Sequence, residues 1–341
     1  MERRLSSYTG CLLGLAAGDG LGQGPERING FLSVSGYTQM AAYGCNGLLL
    51  GMTRGQLSGT MAPPVCYISE ALREWADLQL WRQGELSCWI SHSSRMEFRR
   101  CPEPEVLDKL AAGRTGTMEE RIGTMDTPGA LMTAPAVALF YDPERISRGE
   151  LRRLGAEAAA LTHGGPGAFL AAAALTHILS RIVFDGITDP ERLSREAGIM
   201  LLRRFAREYH QTVRVMRLLK KARLLARDER ISREDALAQL GRDTAAQALA
   251  GALYLCTVGK DFAETLETAA CWCPGGAAVA GAILGAIHGE EAIPAGWLEE
   301  LECADVLREL GEDLFRGCPM MLGSKVFDIE WDEKYNAAEL R

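Results

Sequence analysis

The chain is short of alternating, strand-like hydrophobic patterns, and no stretch of it approaches ~20 uninterrupted apolar residues. The first absence points to an all-helical fold, and the second leaves no transmembrane helix to expect. No Cys-x-x-Cys pair exists among the ten cysteines, and Cys271-Trp272-Cys273 is the one close pair. Thiols scattered over 341 residues are expected to be reduced and mostly buried rather than a disulfide scaffold. A Cys-x-Cys with one histidine is too sparse a donor set for zinc. Acidic residues are missing from a long tract, for none lies between Glu26 and Glu70. An excess of positive charge is missing as well. The net charge of -8 argues against a general nucleic-acid or anionic-membrane binder. The start only imitates a signal peptide: the apolar stretch Cys11 to Ala17 is broken by Gly14 and runs into Asp19 without a cleavage pattern. A cytoplasmic protein is expected.

What is present reads as an ordinary folded chain, 47% hydrophobic and 24% charged. Helical periods recur. Pro63-Pro64 can open a helix in which Val65, Ile68, Leu72, Trp75 and Leu78 share one face, with Gly84 as its stop. Ser147 can cap a helix through Leu161, Gly164 to Gly167 break the chain, and an Ala-rich helix follows from Ala168 to Ile182. Asp189-Pro190 opens another helix, and Ser232 with Asp235 resembles a capping box. From Arg203 to Arg227 the pattern is helical and basic. Val213, Met216, Leu219 and Leu224 interleave there at helical spacing, so a solvated face over a buried stripe is expected rather than a nucleic-acid surface. Trp75, Trp81 and Trp89 are read as core or interface residues. Residues 26–62, rich in Gly, Ser and Thr without a period, read as a long irregular loop. The small-residue segments Gly165–Leu175 and Gly275–Gly289 allow close backbone approach and are expected at the centre of a helical bundle. The whole, 1–341, reads as one all-α domain. Its tail, 319–341, reads as an appendage docking through Val326, Phe327, Ile329 and Trp331.

Four segments carry chemistry-bearing residues. The first, Gly14-Leu15-Ala16-Ala17-Gly18-Asp19-Gly20-Leu21-Gly22, leads to Glu26. It is followed by Gly129-Ala130-Leu131-Met132-Thr133-Ala134-Pro135, by Leu161-Thr162-His163-Gly164-Gly165-Pro166, and by Gly275 through Gly281 to Gly285. On residues alone, Asp19 and Glu26 flank a Gly-rich turn where backbone N–H groups can approach a ligand, and the same pattern suits a plain helix end. In order and spacing the four segments resemble the ADP-ribosylglycohydrolases, over roughly residues 8 to 316. That resemblance implies a compact orthogonal multi-helix bundle with a cleft for ADP-ribose and two magnesium ions that assist glycosidic cleavage. Matched position by position, it implies Asp19, Glu26 and His163 as candidate catalytic groups, with Gly22, Gly129, Met132, Thr162, Trp272 and Gly275 around the ligand.

The resemblance also implies what is lost. The family's acidic metal ligands fall near Gly59-Thr60-Met61, on Gly165, on Trp272 and on Pro274, the following threonine falls on Gly275, and its arginine falls on Thr133. None of these offers a carboxylate to a hard cation. The expectation is therefore no metal and no cofactor. Cys271-Trp272-Cys273 stands in place of the metal aspartates, ahead of a helix start, where a thiol would feel the positive end of the helix dipole and have a lowered pKa. Two outcomes stay open: a Cys–His nucleophilic site of Cys271 or Cys273 with His163, or a loop collapsed into the vacated space with Trp272 as a plug. His163 itself is read either as a catalytic group or as a histidine bonding backbone at a helix start. The leading functional reading is a degenerate, magnesium-free cleft that binds a nucleotide-like or glycosidic small molecule, or a protein partner. The alternatives are a metal-independent hydrolase or transferase, and a ligand-free structural or regulatory protein.

Overall fold

The structure is a computed structural model and describes residues 4–24, 28, 30–82, 84–144 and 146–336. Among them are α1 (Leu5–Gly22), α2 (Gly36–Ser58), α3 (Pro64–Gln79), α4 (Pro104–Ala111), α5 (Ala134–Phe140), α6 (Arg148–Ala160), α7 (Pro166–Asp185) and α8 (Pro190–Phe205). The second half adds α9 (Gln211–Ala226), α10 (Arg233–Leu240), α11 (Ala245–Val258), α12 (Phe262–Trp272), α13 (Pro274–His288), α14 (Ala295–Glu300), α15 (Ala304–Arg316) and α16 (Ile329–Tyr335). No β-strand forms among the described residues; two isolated bridges, Ile28 with Phe31 and Leu32 with Leu301, tie the loop after α1. The fold is all-α.

Local chemistry explains most helix starts. Ser147 and Glu150 close a capping box on α6, Asp189 caps α8 ahead of Pro190, and the Ser232 hydroxyl accepts from the Asp235 N–H on α10. In α3 the predicted stripe is buried at Ile68, Leu72 and Trp75. That helix ends at Gln79, ahead of Gly84, because Trp81 turns the chain with φ of 58°. Trp81 is exposed rather than core, with the Arg99 guanidinium over its ring. The basic segment is two helices, with a break at 206–210 between α8 and α9. Its buried stripe is Val215, Leu219, Ala222 and Leu225, while Leu224 faces solvent.

The largest departure from the sequence reading is α2. Within the stretch 26–62, read as a loop, 23 residues form α2, the longest helix described. Buried on all sides from Gly36 to Gly51, it has no polar face and hence no amphipathic period to read. The small-residue helix α13 does lie at the centre, but its intimate partner is α1 rather than α7. Gly14 and Gly281 face each other so closely that a Cβ on either would overlap the other's carbonyl. Only backbone-on-backbone packing fits, which is why these positions carry glycine. α7 is long and apolar enough to cross a membrane by length and composition, yet 89% of that stretch is buried inside this protein. At the tail, Val326, Phe327 and Ile329 are exposed. Docking is done by Trp331, whose indole N–H donates to Thr53 Oγ1 (2.8 Å), and by Tyr335, whose hydroxyl donates to Asp313 (2.7 Å).

Candidate functional site

The turn from α6 into α7 places His163. Its ring is fully buried: Nε2 lies 2.8 Å from Glu103 Oε2 and 3.1 Å from Thr127 Oγ1, and Nδ1 lies 2.7 Å from Thr162 Oγ1. A carboxylate only accepts, so Nε2 carries the proton toward Glu103. The other oxygen of Glu103 accepts from the Tyr37 hydroxyl (2.9 Å) and the Gly129 N–H (3.1 Å). Burial works to raise the Glu103 pKa, but the bonds from His163, Tyr37 and Thr127 prevail and hold the carboxyl below its ordinary value. Gly275 sits against Pro128 and Tyr37 beside this network. The structure thus joins His163, Thr162, Gly129 and Gly275 around Glu103, Tyr37 and Thr127, three residues that the sequence reading did not single out. Met132 is buried on the same 128–132 turn.

Asp19 is held elsewhere. Near the end of α1 and fully buried, it accepts from the N–H and hydroxyl of Ser35 (both 2.7 Å) and from the N–H (3.2 Å) and hydroxyl (2.6 Å) of Thr38. The Gln23 amide adds a fifth bond at 3.2 Å. Burial pushes its pKa up despite these donors, which act to lower it. The carboxylate therefore satisfies the open N–H groups at the start of α2. Gly22 packs on Pro274. Glu26 lies outside the described residues.

Where the resemblance puts an aspartate at 165, the space is already filled. A Cβ on Gly165 would crowd the Met125 carbonyl at 2.6 Å and the Asp126 Cβ at 2.9 Å. Asp126 takes this place from a neighbouring loop. Among the described residues its buried Oδ1 has no hydrogen-bond partner, and burial raises its pKa to about 6, against the pull of Arg214 and His163.

The 271–275 loop separates its two thiols. Cys273 is buried as the N-cap of α13, accepting from the Gly276 N–H (3.4 Å) and donating to the Arg242 carbonyl (3.5 Å). Its pKa is raised rather than lowered, because burial outweighs the backbone bonds at the helix start. No cysteine reaches His163, whose ring nitrogens meet only Thr162, Thr127 and Glu103 among the described residues. Cys271 is exposed. Trp272 lies over Gly251 and Gly276, which leave room for its ring, and its carbonyl accepts from Arg242 (3.1 Å). Beyond it opens a cavity of about 890 Å³ between α10 and α12, lined by Trp272, Cys271, Leu237 and Thr268 with charged residues at the rim.

Among the described residues no three of His, Cys, Asp and Glu converge as metal ligands, and Asp19 spends its oxygens on α2.

The sequence profile of the ADP-ribosylglycohydrolases matches residues 1–321, and the chain belongs to that family. Among solved structures it is similar to a chain of an ADP-ribosylglycohydrolase-related protein complex. The TM-score is 0.59 at 21% identity, covering 93% of this chain and 99% of that one, a likeness of fold. No match is found among curated protein sequences.

Proposed function

We propose that this protein is a magnesium-free member of its family that binds a nucleotide-like or glycosidic small molecule beside Trp272. The observation that carries the reading is the cavity of about 890 Å³ with an indole in its wall. That volume suits a small-molecule ligand, and the indole offers a stacking face for a base or sugar ring. The rim mixes Arg233 and Arg242 with Glu234, Asp243 and Glu267. Carboxylates accept from sugar hydroxyls and guanidinium groups donate to phosphate oxygens, so both halves of a nucleotide find partners.

The test is calorimetry and thermal shift with ADP-ribose, adenosine and simple glycosides in chelator. A ligand that binds only the folded chain raises its melting temperature. The Trp272→Ala variant is expected to lose about tenfold or more in affinity, since stacking contributes about 1–3 kcal/mol. Silence across the panel, or binding only when magnesium is added, overturns the reading.

A second reading, glycosidic cleavage without a metal, has one observation in its favour. Asp126, with a pKa of about 6 beside His163, holds a share of protonated carboxyl near neutral pH, as a general acid needs.

A further inference from the structure

A second cavity, of about 500 Å³, opens on the face built by α6, α7 and α8, and it shares no lining residue with the one beside Trp272. Arg152 of α6, His177 and Arg181 of α7, and Glu196, Arg203 and Arg204 of α8 line it. Four arginines therefore face one glutamate, in a chain whose net charge is -8.

These arginines are unequally compensated. Arg181 pairs with Asp185 and, at 3.0 Å, with Glu196, which also takes Arg192 at 2.9 Å. Arg204 pairs with Glu208 at 3.2 Å. Arg152 and Arg203 have no acidic partner among the described residues, and the Nε of Arg152 is buried without any hydrogen bond. Burial first, then Arg148 and Arg181, lower the Arg152 pKa, so its charge is disfavoured where it stands. His177 lines the same cavity while only 5% exposed. Burial and the neighbouring Arg152 and Arg181 push its pKa down to about 3, which leaves a neutral ring with one donor and one acceptor. An unpaired guanidinium held among other cations is a net cost to the fold, and such costs are typical of a site that awaits a counter-charge.

We propose that this cavity binds a compact multivalent oxyanion, a phosphate or pyrophosphate group either free or carried on a small molecule, with Arg152 and Arg203 as its principal ligands. The chemistry follows from the guanidinium, which donates two parallel N–H bonds to the oxygens of one phosphoryl group. Two uncompensated cations match a doubly charged anion, and His177 supplies a third contact from the buried side. The exposed Ile199 in the wall, with Met200 beneath, gives an attached carbon skeleton an apolar surface to cover.

The experiment is isothermal calorimetry of the full chain with pyrophosphate and, separately, with ADP, at low and raised ionic strength. Saturable one-to-one binding of pyrophosphate is expected. Pyrophosphate affinity should fall about tenfold or more in Arg152→Gln and in Arg203→Ser, and stay unchanged in Lys325→Ala, which removes an exposed charge outside both cavities. With the other cavity disabled by Trp272→Ala, tighter binding of ADP than pyrophosphate assigns the anion to a larger molecule; equal binding assigns it to the free ion. Without any anion, Arg152→Gln should melt no lower than the parent, because it removes an unpaired charge, and Arg203→Ser alters only an exposed side chain. Two results overturn the proposal: no saturable binding to the parent, or binding that survives both arginine variants. A loss in Lys325→Ala as large as in the arginine variants would mark diffuse charge attraction and overturn it equally.

Discussion

A fully buried carboxylate and a half-buried one show how differently one fold can use the same group. Asp19 sits inside a motif and looks from its surroundings like a site residue, yet five donors surround it and four of them belong to the start of α2. Asp126 belongs to no motif, yet it lies beside His163 and Gly165 with a buried oxygen that no described residue satisfies. Saturation marks a group whose work is done in holding the fold. An orphaned buried oxygen marks one whose cost is borne for another reason, or offset by something the chain itself does not supply. The lesson is that retention of a motif residue and availability of that residue are separate questions, and hydrogen-bond accounting decides the second.

The largest effect should come from breaking the saturated side. Asp19→Ala strips acceptors from two backbone N–H groups and two hydroxyls that remain buried, so a loss of about 3–5 kcal/mol is expected in urea unfolding. Asp19→Asn keeps two heavy atoms in place but only one acceptor, and should fall between. A loss below about 1 kcal/mol for the alanine variant would show that α2 does not depend on this carboxylate and would dissolve the contrast.

Sequence and structure agree where a local signal exists and diverge where burial erases it. The caps at Ser147, Asp189 and Ser232 are local chemistry, and each starts a helix as read. Family membership and the all-α fold were likewise legible from four spaced segments. α2 was not, because a helix buried on every side carries no alternation of polar and apolar faces, and its glycines at 44, 47 and 51 imitate loop composition while admitting Ala136, Ala71 and Tyr67. Glu103 was hidden for another reason. It stands between two prolines ahead of α4, 60 residues from His163, and only the folded chain brings them together. Its one faint signal is an acid just before a helix-opening Pro104. Asp126 offered only an Asp-Thr-Pro turn. The pKa expected for the thiol failed on a magnitude: the dipole at the start of α13 is real, but desolvation of Cys273 outweighs it.

The orphaned side predicts a gain. The folded-state pKa of Asp126 is raised from 3.8 to about 6, so the native state holds its proton more tightly than the unfolded chain does. That contribution is fully present below pH 3.8 and is lost as pH rises through about 6. Asp126→Asn should therefore stabilise the protein at pH 7 by about 1–2 kcal/mol, discounted because the group is partly solvated, and change little at pH 3.5. Denaturant titrations at the two pH values check the sign. A variant less stable than its parent at pH 7 would mean that the ionised carboxylate has a partner in solution. Under the metal-free cleavage reading, the same variant also loses whatever turnover of an ADP-ribosyl conjugate the parent shows in chelator.

The smallest effect concerns reactivity rather than stability, and it repeats the contrast two residues apart. Cys271 is exposed at the cavity, whereas Cys273 is buried, bonded to Gly276 and Arg242, and pushed up in pKa by that burial. Thiolate is the reacting form, so native-state alkylation followed by peptide mass mapping should label Cys271 quickly, with the exposed Cys66 as an internal reference. Cys273 should lag by about tenfold or more, set by access and thiolate fraction together. Equal rates would mean that the 271–275 loop opens on the labelling timescale. The saturated and the available group would then be two states of one loop rather than two places in the fold, and Trp272 would be a gate to the neighbouring cavity instead of a fixed wall.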